Sequence, residues 1–241
     1  MSSITDNIRS VTRRIQKATL AAGRADGSVR LLAVSKTRPA DDLRQAAAAG
    51  QQAFGENYLQ EALEKIEALQ DLPQLEWHFI GPIQSNKTRA LAEHFQWVHS
   101  VDRLKVARRL SEQRPASLPP LNICLQVNID NEASKSGCAP EHVPELAAAV
   151  SALPGLSLRG LMTIPDPHQP EQELRNSFRQ LAEALGGLRR NPQVEGPLDT
   201  LSMGMSGDLE LAIAEGATLV RVGTALFGPR DYHRQTGPVA G

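Results

Sequence analysis

The chain has 241 residues, of which 41% are hydrophobic and 22% charged, ordinary globular usage that excludes a disordered chain or a coiled coil. Its 26 lysines and arginines against 27 acids leave a net charge of -1, so no global basic field exists to hold nucleic acid or an anionic membrane, and any anion site must be local. Two cysteines, Cys124 and Cys138, with no Cys-x-x-Cys pair, indicate neither a disulfide scaffold nor a thiolate zinc site and make the cytosol the default compartment.

The opening Met1-Ser2-Ser3-Ile4-Thr5-Asp6 lacks the pattern of an export signal, and nowhere do ~18 consecutive apolar residues occur. Neither export by such a signal nor a membrane-spanning helix is expected. Ile4, Ile8, Val11, Ile15 and Ala18 recur at helical spacing, and Gly23 with Gly27 ends that segment before the apolar run from Val29 to Val34. A helix therefore precedes the first strand. Short β-rich runs then alternate with amphipathic ones, with strands expected near 30–35, 52–55, 76–80, 96–101, 121–129, 156–164, 198–203 and 218–222. The helical stripe is clearest in Leu59-Ala62-Leu63-Ile66-Leu69 and in Leu174-Phe178-Leu181-Leu185-Leu188. Pro115 to Pro120, with three prolines, reads as a loop before the fifth strand.

Eight β-then-α units in about 200 residues match the closed parallel (β/α)8 TIM barrel, usually ~250 residues. They favour one domain, 1–241, with an extra N-terminal helix, over the two domains that length alone allows. An open doubly wound sheet is the alternative, because periodicity does not show whether the strands close. The last residues, about 233–241, carry no pattern and are expected to be loose.

In a barrel the working face is the carboxyl end of the strands, so residues just after each apolar run come first. Lys36 follows Leu31-Leu32-Ala33-Val34-Ser35, and period-two alternation puts it on the side of Leu32 and Val34. If that side is the barrel interior, its amine is partly desolvated and suited to attack a carbonyl and form a Schiff base. The plainer account is a strand-end lysine snorkelling to water. Later, Leu201-Ser202-Met203-Gly204-Met205-Ser206-Gly207-Asp208 runs from strand seven through a glycine turn into a helical segment, Leu209 to Glu215. Ser206 is a candidate N-cap, and the glycines let backbone N–H groups approach an anion. Strand eight is followed at once by Gly223-Thr224-Ala225-Leu226-Phe227-Gly228, a candidate short extra helix. Barrel enzymes commonly hold phosphate in the loops after strands seven and eight, although each motif alone is also what an ordinary capped turn looks like.

Arg221 points away from Val220 and Val222, toward the upper interior, where it either pairs with a carboxylate or faces a ligand. Beside a pyridine nitrogen a permanent cation keeps that nitrogen unprotonated and weakens the ring as an electron sink. Lysine, phosphate cup and arginine together suggest pyridoxal 5'-phosphate. Other patterns fail. Asn86 stands where a Walker loop needs glycine before Lys87. The six histidines form no ligand pattern, so no metal is expected. Ser206 lacks the Gly-x-Ser-x-Gly elbow. His78 reads as a satisfied barrel histidine and is left out of the site.

With these residues in view, the chain from about Ile4 to Tyr232 resembles the pyridoxal phosphate homeostasis protein family, the YggS/PROSC proteins. The resemblance rests on Ala33-Val34-Ser35-Lys36-Thr37, Phe54-Gly55-Glu56-Asn57, Trp77-His78-Phe79-Ile80-Gly81 with Gln84 and Asn86-Lys87, Gly160-Leu161-Met162-Thr163, Leu201 through Asp208, and Arg221 through Gly228. It implies a barrel like the amino-terminal domain of alanine racemase, a fold-type-III carrier of pyridoxal 5'-phosphate, with the cofactor joined to Lys36. By the same resemblance Ser206, Gly207, Gly223 and Thr224 would hold the phosphate, Arg221 would face the pyridine nitrogen, and Asn57 and Met203 would line the ring. The implied role is a cytoplasmic, monomeric carrier in vitamin B6 homeostasis, without turnover of its own, that hands the cofactor to apo-enzymes. The alternative is an amino-acid racemase, which needs an acid/base group on each face of its substrate. The racemase's second base is a tyrosine from a further domain, and the tyrosines here are Tyr58 and Tyr232.

Overall fold

A computed structural model describes residues 3–130, 136–166 and 168–229. The tail from about 233, Tyr232 and Lys135 lie outside the described residues. The chain opens with α1 (Ile4–Ala21). Then come β1 (Arg30–Val34), α2 (Ala40–Ala48), β2 (Ala53–Glu56), α3 (Leu59–Ala68), β3 (Glu76–Phe79), α4 (Thr88–His94), β4 (Trp97–Val101) and α5 (Leu104–Gln113). The second half is β5 (Leu121–Gln126), α6 (Val143–Ser151), β6 (Leu156–Met162), α7 (Glu171–Arg190), β7 (Thr200–Ser202), α8 (Leu209–Ala214), β8 (Leu219–Val222) and α9 (Thr224–Phe227).

The strands pair in parallel and in chain order, and β8 returns onto β1 with Leu32 opposite Arg221 and Ala33 opposite Val222. The ring is closed, which decides against the open sheet. Alternation along the strands separates two environments. Ala33, Phe54, Val98, Ile123, Leu161 and Val220 face outward, fully buried beneath the helices. There they meet stripes such as Leu174, Phe178, Leu181, Leu185 and Leu188 of α7, each contributing roughly 1.5–3 kcal/mol on burial. Leu32 and Leu219 face inward with Ile80, as do Trp97, Cys124 and Met162. The inward set also holds polar groups: His78 is fully buried and stacks on Trp97, ring centroids 5.2 Å apart. Burial pushes the Cys124 thiol up to about 12 and that of Cys138 to about 11.

α1 is capped by Ser3, whose Oγ accepts from Asp6 N at 3.1 Å. Ile8, Val11, Ile15 and Thr19 form its buried face, turned toward α8 and α9. Past its end, Arg24 donates to the carbonyls of Ile213 and Ala217 at 3.1 and 2.7 Å, fastening the helix beside β8. Among the described residues no helix is long and apolar enough to cross a membrane.

Candidate functional site

Seven of the residues singled out from sequence, Lys36, Asn57, Ser206, Gly207, Arg221, Gly223 and Thr224, line one cavity of about 310 Å³ at the carboxyl end of the barrel. That is the lower end of small-ligand sites. Val34, Ile80, Ile164 and Met205 supply its apolar wall. Met203 is elsewhere. It is fully buried in the layer between strands and helices, because it shares the outward parity of Leu201 while Ser202 between them faces in. Met205 is the methionine at the cavity.

Lys36 continues the inward side of Leu32 and Val34, and the backbone on each side of it is tied down. Ser35 N donates to Gly55 O at 3.0 Å, and Ser35 Oγ donates to Glu56 Oε1 at 2.6 Å. Thr37 holds a left-handed φ of 63°, a costly conformation for a β-branched residue. Its N–H is held by Glu61 Oε1 at 2.5 Å. Both anchors meet at Lys65, whose ammonium donates to Ser35 O at 2.7 Å, Glu56 at 2.7 Å and Glu61 at 2.5 Å. Lys65 is 5% exposed and Glu56 fully buried. Burial pushes the Glu56 carboxyl up, against the pull of Lys65 and Ser35. Glu56 Oε2 makes no hydrogen bond among the described residues. Glu61 and Lys65 stand outside the motifs that mark the site in the sequence. The available signal was their i, i+4 spacing on α3, which puts the two charges side by side.

Arg221 is 4% exposed and pairs with no carboxylate at short range among the described residues; Nη1 donates to Ser202 Oγ at 2.9 Å and Nη2 to Thr163 O at 2.8 Å. Burial lowers its pKa to about 10, against the attraction of Asp208, so it stays a cation at neutral pH. Asn57, also on the cavity wall, keeps a buried Oδ1 without a partner among the described residues. A buried acceptor left open at a cavity calls for a ligand donor.

Ser206 does not cap α8. The cap position is Asp208, and its carboxylate accepts from Met205 N across the turn, which leaves Ser206 at the cavity rim. Arg14 of α1 holds that turn from behind, donating to Ser206 O at 3.1 Å while paired with Glu210 at 2.7 Å. α9 begins at Thr224 with Gly223 before it, and Asn7 of α1 donates to Leu226 O at 2.8 Å. The first N–H groups of a helix have no acceptor within it. The rim thus offers two hydroxyls and open backbone donors around a cation and an amine. Among the described residues no cluster of three or more His, Cys, Asp or Glu could hold a metal.

The family model for the alanine racemase N-terminal domain matches residues 2–231. The chain is 65% identical over 232 residues to a pyridoxal phosphate homeostasis protein of Pseudomonas aeruginosa, covering 96% of this chain and 98% of that one. It is 52% identical over 238 residues to the one of Escherichia coli K12, covering 98% and 100%. The solved structure of PipY from Synechococcus elongatus with pyridoxal phosphate bound superposes with a TM-score of 0.81 at 38% identity, covering 94% of this chain and 100% of that one. Alanine racemase of Corynebacterium glutamicum shares the fold at a TM-score of 0.67 and 20% identity, with 93% of this chain matching 62% of that one.

Proposed function

Since the chain belongs to the pyridoxal phosphate homeostasis protein family, within the alanine racemase N-terminal fold, we propose that its cavity carries pyridoxal 5'-phosphate on Lys36 and releases it without turnover. The observation that supports this best is the convergence of an interior amine, a buried cation and a donor-rich rim on one small cavity. The donor set fits the group. When bound, the cofactor supplies an aldehyde that condenses reversibly with a primary amine. Lys36 offers that amine at a fixed strand end. Arg221, committed to Ser202 and Thr163, presents a cation from the floor, which disfavours a proton on a facing pyridine nitrogen. Asn57 offers the open acceptor, and Ser206, Gly207, Gly223 and Thr224 surround the phosphate with hydroxyls and backbone N–H groups. Action in the cytoplasm, as a monomer that passes the cofactor to apo-enzymes, belongs to the same proposal.

Pyridoxal, which lacks the phosphate, is expected to bind about a hundredfold or more weakly, since charged hydrogen bonds contribute roughly 1.5–3 kcal/mol each and the rim supplies at least a pair. Equilibrium titration of the two compounds checks this; equal affinities would remove the phosphate from the rim. Gly81 backs onto Asn57. A Cβ there would lie 2.2 Å from Asn57 O and 2.7 Å from Asn57 Cα, so Gly81→Ala is expected to displace Asn57. A single hydrogen bond is worth roughly 0.5–1.5 kcal/mol, so cofactor affinity should fall about two- to tenfold. Affinity equal to the parent's would take Asn57 out of the site.

The racemase alternative has less support in the cavity itself. Among the described residues lining it, Lys36 and Arg221 are the only ionisable side chains, and Tyr58 is 56% exposed outside the lining. A proton taken on one face then has no donor on the other among those residues. Cofactor-loaded protein with single-enantiomer alanine should show, by chiral analysis and solvent deuterium incorporation, turnover well below ~1 per second, the lower end of ordinary enzymes. Turnover within that range, lost in Lys36→Ala, would replace the carrier reading by the racemase one.

A further inference from the structure

Beneath the cavity, a column of hydrogen bonds runs along the barrel interior to the opposite rim. Arg221 Nη1 lies 2.9 Å from Ser202 Oγ, and Ser202 Oγ lies 2.8 Å from His99 Nδ1. His99 Nε2 lies 2.9 Å from His78 Nδ1, and His78 Nε2 lies 2.7 Å from Glu76 Oε1. Glu76 is the first residue of β3, at the amino end of the barrel, and there accepts from Arg30 Nη2 at 2.6 Å. Ser202, His78 and His99 are all fully buried.

With both imidazoles neutral, the state that burial favours, the Glu76 end fixes every hydrogen in the column. A guanidinium only donates and an ionised carboxylate only accepts. Ser202 therefore accepts from Arg221 and turns its own O–H to His99 Nδ1. His99 then carries its hydrogen on Nε2 and donates to His78 Nδ1, and His78 donates from Nε2 to Glu76. Both imidazoles are neutral, in the Nε2–H form, and every donor points away from Arg221. Burial favours this state by lowering the pKa of both rings. For His99 the charges of Arg221 and Arg30 add to burial, and a charge on His78 would add further; for His78, Glu76 opposes it. At Glu76 burial is outweighed by His78 and Arg30, which hold the carboxyl down at about 2.

We propose that Ser202 and His99 are positioning residues for the cofactor site, the one-way column from Arg221 to Glu76 holding the guanidinium in place and barring protons at the far rim from the cavity. This rests on the reading of the cavity as the pyridoxal 5'-phosphate site. A proton entering at Glu76 could travel upward only if both histidines exchanged tautomers and Ser202 turned its hydroxyl, and Arg221 occupies the position into which that reversed column would donate. The ring nitrogen facing Arg221 is thereby kept unprotonated by the polarity of the column as well as by the adjacent charge.

The test has two arms. In cofactor-free protein labelled with 15N-histidine, His78 and His99 should give the neutral Nε2–H pattern, unchanged from pH 5 to 8. A cationic or Nδ1–H pattern at either ring in that range would overturn the column. In the second arm, pyridoxal 5'-phosphate labelled with 15N in its ring is bound to the parent, Ser202→Ala and Ser202→Thr. The parent's ring-nitrogen shift should be that of an unprotonated pyridine and flat across the same range, Ser202→Ala should make it pH-dependent, and Ser202→Thr, which keeps the hydroxyl, should restore it. A flat profile in Ser202→Ala would overturn the positioning role. Failure of the parent to bind the cofactor would overturn the site reading and the positioning role together, and it is told apart from failure of the column by the histidine spectra.

Discussion

Lys36→Ala should abolish covalent attachment of pyridoxal 5'-phosphate, the imine absorbance band of the loaded protein giving way to that of the free aldehyde. Borohydride treatment of the parent should leave one pyridoxyl-modified peptide, the one carrying Lys36, and none in the variant. The effect is all-or-none because the cavity has one amine among its described lining residues. Non-covalent binding through Arg221 and the rim should persist at lower affinity, since those contacts do not use the amine. A modified peptide centred on Lys87 or Lys135 would transfer the role from Lys36. Lys65 is the nearby lysine held out of competition: its ammonium is spent on Ser35, Glu56 and Glu61.

Lys65→Met should cost about 3–5 kcal/mol of stability at pH 8, the range seen when one member of a buried ion pair is removed and its partner left uncompensated. Glu56 is that partner, already carrying an oxygen with no hydrogen bond among the described residues. Its carboxyl is pushed up by burial even with Lys65 present, and further without it. A group whose folded pKa exceeds its unfolded one favours folding at low pH and loses that contribution as pH rises through the folded value. The deficit of Lys65→Met should therefore shrink when urea unfolding is repeated at pH 5, and Glu56→Gln combined with Lys65→Met should recover much of it at pH 8. A loss below 1 kcal/mol, or one equal at both pH values, would mean that the pair does not hold Ser35 and Thr37 as described.

The order of elements was legible because each strand is an apolar run bounded by turn residues, and those signals are local. The expected strands at 121–129 and 156–164 run past the observed Leu121–Gln126 and Leu156–Met162. The chain stays extended there, with Val127 N bonded to Met162 O at 2.8 Å, after the regular ladder has ended. Closure depends on Leu32 meeting Arg221, a pairing that no window of sequence contains. Within the site, residues next to glycine turns and strand ends announced themselves by position. Met203, which the resemblance implied at the ring, lies outside the cavity because strand parity turns it outward with Leu201. His78 was rightly read as a buried, satisfied histidine, but its column joins β3, β4, β7 and β8, and nothing in the local pattern links Glu76 to Ser202.

A chain that carries an aldehyde must also keep its own soft nucleophiles quiet. A thiolate would compete with Lys36 by adding to the same carbonyl as a hemithioacetal, and it would be the first group lost to oxidation. Burial holds Cys124 and Cys138 protonated far above neutral pH. Burial of the two thiols thus also gives the protein chemoselectivity, leaving amines as the nucleophiles that its electrophilic cargo can meet.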